Sequence, residues 1–323
     1  MAFRSSTSNA LGIWMGSMAT ALGLDPSLPP GGNFDLSHWK LTLPYADAAE
    51  IDPAQLSGGF TNAYFFTATD GAMAFWCPVA LNGSNGFPRS ELRELVNPTN
   101  DNQNWTGFGS HILDAQCAVL QIPSSQKVVI GQIHSATGAE LPLVKLQYNS
   151  GRVEALVKQS PTDETDTHLD FGPAEIGAPL NYELSLENGL LSVTVNGSNQ
   201  AMNVFAIDPN WQFQTFFFKA GDYCQDNAGS ADEGALVQFY RLSVRRSVNT
   251  NVPPVIVNVF RNSSSVGFTV VGEDAARYAI QSSSDLSSWS DDATGLCVSG
   301  SFDFMDTNFG SSSDRFYRAL RLP

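Results

Sequence analysis

Tight turns set between runs of alternating apolar and polar residues constrain this chain more than any other feature. Tyr182–Leu186 alternates, turns at Asn188-Gly189, and alternates again from Leu190 to Val195 before Asn196-Gly197. Leu143–Tyr148 turns at Asn149-Ser150-Gly151 into Arg152–Lys158 in the same way. An Asn-Gly pair supplies the two positive-φ positions of a hairpin turn, and period-two alternation gives each flanking strand one face for a core. Further strand-like runs occur at Trp39–Pro44, Tyr64–Thr69, Met73–Val79, His111–Leu120, Lys127–Ile130 and Val237–Val244. Helical segments do not separate them. The chain is therefore predicted to be all-β, an antiparallel sandwich or β-jelly roll.

Three strand-like segments turn a polar face one way and an apolar face the other. Phe216-Phe217-Phe218 reads as a buried strand, yet it continues into Lys219, Gly221 and Tyr223, which share one face. Arg89, Glu91 and Arg93 share a face with Leu92 opposite, and Glu94 is the exception to that alternation. Gln132 and His134 flank Ile133. A curved sheet with a polar concave side would gather all three sets, and Lys145 and Gln147 would extend it.

The chemistry of such a face is narrow. It lacks the three-ligand cluster of a catalytic zinc. No Gly-x-Ser-x-Gly elbow occurs in the chain. Glu50-Ile51-Asp52-Pro53 resembles the carboxylate strand of laminarinase-type glycosidases, but the final Glu is missing and Pro53 would spoil a central strand. Cations, an amide, an imidazole and a phenol do suit β-elimination from a uronic acid. The C5 proton lies alpha to a carboxylate, and its removal requires that carboxylate to be neutralised. Arg89 and Gln132 can hold the carboxylate, His134 or Tyr223 can take the proton, and Tyr223 can protonate the leaving oxygen. Glu91 would orient an Arg, while Lys219 and Arg93 would grip neighbouring uronates. Taken singly, His134 reads as a structural histidine, Arg89 and Arg93 as a salt-bridge network with Glu91 and Glu94, and Tyr223 as a packed strand end. Only their coincidence favours catalysis.

The net charge of −15 argues against nucleic acid or an anionic membrane as partner. A polyanionic substrate would need a local basic patch. Cys77, Cys117, Cys224 and Cys297 lack zinc-site spacing and allow at most two disulfides. The apolar run Ala10–Ala19 fits either a weak secretory signal or a short amphipathic helix. The expected organisation is an N-terminal extension over 1–32, a main domain over 33–247, a linker over 248–254 and a small β-sandwich over 255–323. That last unit resembles the fibronectin-like modules of secreted bacterial proteins, through Ser283-Ser284-Asp285-Leu286-Ser287-Ser288-Trp289 and Arg315-Phe316-Tyr317-Arg318.

Arg89-Ser90-Glu91-Leu92-Arg93, Gln132-Ile133-His134 and Phe218-Lys219-Ala220-Gly221-Asp222-Tyr223-Cys224-Gln225 are similar, in order and spacing, to the three signature motifs of the alginate lyases of polysaccharide lyase family 7. The likeness spans roughly residues 33–247. It implies a concanavalin-like jelly roll with a cleft across its concave sheet. It also implies an endo-acting lyase that needs no cofactor and leaves unsaturated uronate ends. Carried over by motif, Arg89 and Gln132 neutralise the carboxylate, His134 is the base and Tyr223 the acid, with Glu91, Arg93, Lys145, Gln147, Lys219 and Gln225 as substrate-binding candidates. Ile133 in the middle of its motif leans toward guluronate-containing blocks. Asp222 and Cys224 depart from the family pattern, and Asp222 is expected to point away from the cleft. The partner is then alginate, and the expected protein is a secreted or periplasmic monomer. A lyase for another polyuronate such as glucuronan, and a non-catalytic polysaccharide-binding jelly roll, are the rival readings.

Overall fold

The computed structural model describes residues 23–45, 47–79, 86–230, 232–247, 254–262, 264–273, 276–298, 300–307 and 314–322. The expectations for residues 1–22 and for linker residues 248–253 lie outside the described residues.

Two antiparallel sheets face each other. The first runs in the spatial order Asp163–Pro173 (β11), Arg152–Ser160 (β10), Pro142–Asn149 (β9), Lys127–Ser135 (β8), Thr215–Cys224 (β15), Arg89–Glu94 (β5), Trp39–Thr42 (β1) and Glu50–Ile51 (β2). The short strand Trp105–Thr106 (β6) pairs with the beginning of β15. The second sheet runs Ser198–Asn203 (β14), Leu190–Val195 (β13), Pro179–Glu187 (β12), Ser110–Gln121 (β7), Gly234–Ser247 (β16), Met73–Pro78 (β4) and Phe65–Thr67 (β3). Neighbours along both sheets are antiparallel throughout, in the arrangement of a β-jelly roll.

The predicted turns form as their residues dictate. Asn188 and Gly189 adopt φ of 49° and 80°, and Asn196 and Gly197 adopt 47° and 85°. Each pair joins directly opposed residues, Glu187 with Leu190 and Val195 with Ser198. Between the sheets, Leu41, Leu92, Ile133, Leu146, Phe216 and Phe218 of the first meet Phe75, Leu113, Leu184, Val193 and Phe239 of the second in one buried cluster. Each such side chain contributes about 2 kcal/mol on burial. The core therefore fixes which face of β5, β8 and β15 is turned outward.

Four strands of the main sheets were not anticipated, the two-residue β2 and β6 and the longer β14 and β11. Strand β14 follows Asn196-Gly197 as the third member of a meander, and β11 lies at a sheet edge with a sequence of Asp, Glu and Thr. Around Pro53 the chain forms a short helix, Pro53–Ser57, with Asp52 accepting from Gln55 N at 2.7 Å as its N-cap. Glu50 is paired with Lys40 at 2.9 Å. Neither acid is arranged as a glycosidase pair.

Asp222 does point into the interior and is fully buried. Its carboxyl has no hydrogen-bond partner, and burial pushes its pKa well above the usual range. Near it, the buried thiols of Cys77 and Cys224 hydrogen-bond to each other and are not bridged. Beyond the main sheets, Val255–Arg261, Val266–Val271 and Ser301–Asp306 form one small sheet, and Ser290–Leu296, Arg277–Ser283 and Phe316–Arg321 form another. Val266, Phe268, Val270 and Ile280 are the buried centre of this unit.

Gly221 sits opposite Glu91 with φ of 145°, and a Cβ there would lie 2.7 Å from Ser90 O and 2.9 Å from Glu91 Cα. Gly221→Ala should therefore cost roughly 1–3 kcal/mol, read as a fall of about 2–12 °C in the thermal midpoint. An unchanged midpoint would show that the strand accommodates a side chain at this point.

Candidate active site

Strand pairing assembles the site from distant parts of the chain. In β15 and β5, Lys219 lies opposite Arg93, Gly221 opposite Glu91, and Tyr223 opposite Arg89. On the other side of β15, Lys219 is opposite Gln132 and Phe217 is opposite His134. Strand β1 adds Lys40 beside Arg93 and Thr42 beside Glu91, and β9 adds Lys145 beside Gln132. Antiparallel partners share a face, so Lys40, Arg93, Lys219, Gln132 and Lys145 form one row across the sheet.

Glu91 is 1 % exposed and anchors the floor. Lys219 Nζ donates to its Oε2 at 2.9 Å, and Gln132 Nε2 donates to its Oε1 at 2.5 Å. Arg89 Nη1 is 3.9 Å from the same carboxylate. The expectation that Glu91 binds substrate is thus corrected. Both of its oxygens are taken, it is buried, and it does not line the cleft. It holds Lys219 and Gln132 more closely than it holds an Arg.

The cations exceed what Glu91 can satisfy. Arg89 Nε and Nη2 and Arg93 Nη1 are buried without hydrogen-bond partners. Arg89 lies over the Tyr223 ring at 4.1 Å, and Arg93 lies over the Phe217 ring at the same distance. Arg93 also donates to Asp101 O at 2.8 Å and to Asn104 Oδ1 at 3.1 Å. Lys219 has its pKa lowered, by burial first and then by Arg89 and Arg93 against the pull of Glu91. An anion bound here would relieve donors that are otherwise costly to bury.

His134 stacks on Phe217, with ring centroids 5.2 Å apart and planes 17° from parallel. Its Nδ1 lies 2.8 Å from the Ser135 carbonyl oxygen. A carbonyl can only accept, so Nδ1 carries the proton and Nε2 has the free lone pair of a base. Burial, then Lys219, then Arg89 and Arg93, push the imidazole down to about 3 against the Ser135 bond. It is neutral in the empty site at ordinary pH.

Arg89, Arg93, His134 and Lys219 border a cleft of about 380 Å³ that Lys40, Thr42, Asp101, Asn104, Thr215 and Phe217 also line. Those six were not selected from the sequence. Phe217 was hidden in an aromatic triplet that reads as wholly buried. Lys40 could have been found, because it alternates with Trp39 and Leu41. Besides Glu91, the proposed substrate binders Lys145, Gln147 and Gln225 lie off the cleft lining, as do the proposed catalytic Gln132 and Tyr223. Gln147 is buried and donates to Glu154 at 2.7 Å, while Gln225 folds back on the Tyr223 carbonyl at 3.3 Å. Among the described residues, no group of three or more His, Cys, Asp or Glu side chains could hold a metal ion.

The depressed basicity of His134 is open to direct measurement. Its imidazole resonances should titrate with a midpoint near 3, and Lys219→Met should move that midpoint upward by removing the nearest cation. A midpoint at the ordinary 6.5 would contradict the burial and charge placed around the ring.

Comparison with known proteins agrees with this geometry. The alginate lyase family model matches residues 34–246. An alginate lyase of Klebsiella pneumoniae is 25% identical over 275 residues, covering 66% of this chain and 90% of that protein. The crystal structure of alginate lyase A1-II', of polysaccharide lyase family 7, is 39% identical with a TM-score of 0.65, over 68% of this chain and 99% of that one. An alginate lyase of Pseudomonas aeruginosa is 36% identical with a TM-score of 0.62, over 66% of this chain and all of that one (100%). With the family match spanning both sheets and every strand that carries the cleft, this chain belongs to the alginate lyase family.

Proposed function

We propose that this lyase cuts internal 1,4-linkages of guluronate-containing alginate, with His134 as base and Tyr223 as acid. The observation that carries the reading is the set of buried, unpartnered donors on Arg89 and Arg93 beside a neutral imidazole and a phenol. Arg89 and the remaining N–H of Gln132 take the uronate carboxylate, spreading the charge that develops when the C5 proton leaves. His134 Nε2 accepts that proton. The electron pair forms C4=C5, the C4–O bond breaks, and Tyr223 protonates the departing oxygen. Lys219, Arg93 and Lys40 hold neighbouring uronates. In guluronate the proton and the leaving oxygen lie on opposite sides of the ring, which suits a base and an acid supplied by different side chains.

Two properties of the similar A1-II' lyase support this assignment. One complex with the guluronate-containing substrate GGMG used a variant with His changed to Asn and Tyr changed to Phe. A complex with the product GGG used a variant with a Tyr-to-Phe change. Loss of a His/Tyr pair is what would preserve substrate if that pair moves the protons. A cleft open along the sheet suits cutting within a chain. Because alginate is too large to enter a cell, we also place the enzyme outside the cytoplasm, secreted or periplasmic.

The test uses the ultraviolet absorbance of the unsaturated uronate product with polyguluronate, polymannuronate and glucuronan supplied separately. Polyguluronate should react fastest, and solution viscosity should fall well before product ends accumulate. His134→Ala and Tyr223→Phe should each fold and lose about 10³-fold in turnover. Near wild-type turnover in either folded variant on every polymer would remove that residue from its role. Reaction with glucuronan alone would keep the chemistry and change the substrate.

A further inference from the structure

Glu94 is the acid that broke the alternation of β5, and neither the cleft nor the chemistry above uses it. Its carboxylate is 1 % exposed and lies on the core side of the sheet. Its Oε2 accepts from the Phe218 backbone N–H at 3.1 Å and from Trp105 Nε1 at 2.9 Å. Its Oε1 is ion-paired with Arg246, near the end of β16.

The position of Phe218 explains why a side chain is needed. Along this edge of β15, Thr215 and Phe216 pair with β6, and pairing with β5 begins only at Lys219. Phe217 and Phe218 fall at the changeover between two partners. A buried N–H without an acceptor there would be costly, and the strand would be free to shift. Glu94 fills the gap and joins β5, β6, β15 and β16 at one point. The neighbours of Phe218 are Phe217, on which His134 and Arg93 stack, and Lys219, which pairs with Glu91.

We propose that Glu94 is a positioning residue for the elimination: it fixes the Phe217–Lys219 segment of β15, and through it the orientation of His134 and the place of the Lys219 charge. This inference rests on the assignment of His134 given above. Its effect is transmitted through hydrogen bonds to Oε2, while the ion pair with Arg246 engages the other oxygen.

The test separates the two halves of the carboxylate. In Glu94→Gln the amide has one acceptor but faces donors on both sides, Phe218 and Trp105 on one and Arg246 on the other. Either orientation sets an NH₂ against a donor. Turnover well below the melting temperature should fall about tenfold, and the His134 titration midpoint should move up as Lys219 is displaced. In Glu94→Gln/Arg246→Met the amide oxygen can face β15 unopposed. Turnover should return to within about threefold of wild type, and the midpoint should return with it, although the ion pair is gone. Arg246→Met alone, which leaves both bonds to Oε2, should also stay within about threefold.

Wild-type turnover in Glu94→Gln would overturn the proposal, and so would a double variant no better than the single one. A loss beyond about tenfold in Arg246→Met would do the same, by showing that the ion pair itself is what matters; this variant also decides the question if Glu94→Gln does not fold. Failure of the His134 assignment is a separate result, since it is read from turnover in His134→Ala, where Glu94 is intact.

Discussion

A single buried carboxylate, Glu91, makes the rest of the site possible. Arg89, Lys219 and Arg93 stand on adjacent strands close enough to repel one another, and taking such charges out of water is expensive. Glu91 offsets part of that cost by pairing with Lys219 and receiving Gln132, and it does so from below, leaving the outward side of the cluster uncompensated. A fully neutralised cluster would be more stable but would have nothing to offer an anion. A cluster without Glu91 would leave Lys219 buried and unpaired. The site sits between these limits, and the orphaned donors of Arg89 and Arg93 measure the remaining deficit.

That arrangement also reconciles an acidic protein with a polyanionic substrate. The chain's charge of −15 is spread over its whole surface, where water and salt screen it within about 8 Å. The cations of the cleft are gathered on β1, β5 and β15, and their effect is local. Acids at the cleft border are mostly engaged: Glu50 and Asp101 both pair with Lys40, and that contact holds Asp101 below its usual range, through the Lys40 hydrogen bond first. Net charge therefore describes the outside of the molecule and says little about what the cleft accepts.

Much of this could be read from the chain because a strand's geometry is simple. Alternation alone put Arg89, Glu91 and Arg93 on one face, Gln132 and His134 on one face, and Lys219 and Tyr223 on one face, and the pairing of β5, β15 and β8 brought those faces together. What alternation cannot give is depth. Glu91 and Arg89 look equivalent in sequence, yet one is beneath the floor and the other faces the cleft. Phe217 was lost for the opposite reason, since three consecutive aromatics read as core although the middle one lies under His134. Strand β11 escaped because its Asp and Thr side chains are exposed at an edge, and only backbone pairing with β10 makes it a strand. Glu94 was visible as an anomaly, but its purpose required knowing that β15 changes partners beside it.

The same cations act on two groups at once. On the assignment proposed here, they lower the cost of forming a carbanion next to the substrate carboxylate, and they add to the burial that is the first cause of holding His134 down near 3. A base that weak would be a poor one if nothing changed on binding. A uronate brings its own negative charge into the midst of Arg89, Arg93 and Lys219, and that charge offsets the cations' share of the depression. Part of the lost basicity is then regained when a carboxylate occupies the place where its neutralisation is needed. A neutral sugar of the same shape would leave both problems in place: no charge to cancel the field, and no carboxylate to accept electron density from C5. Selection for an acidic sugar thus follows from the electrostatics of the floor, before any contact with ring hydroxyls is considered.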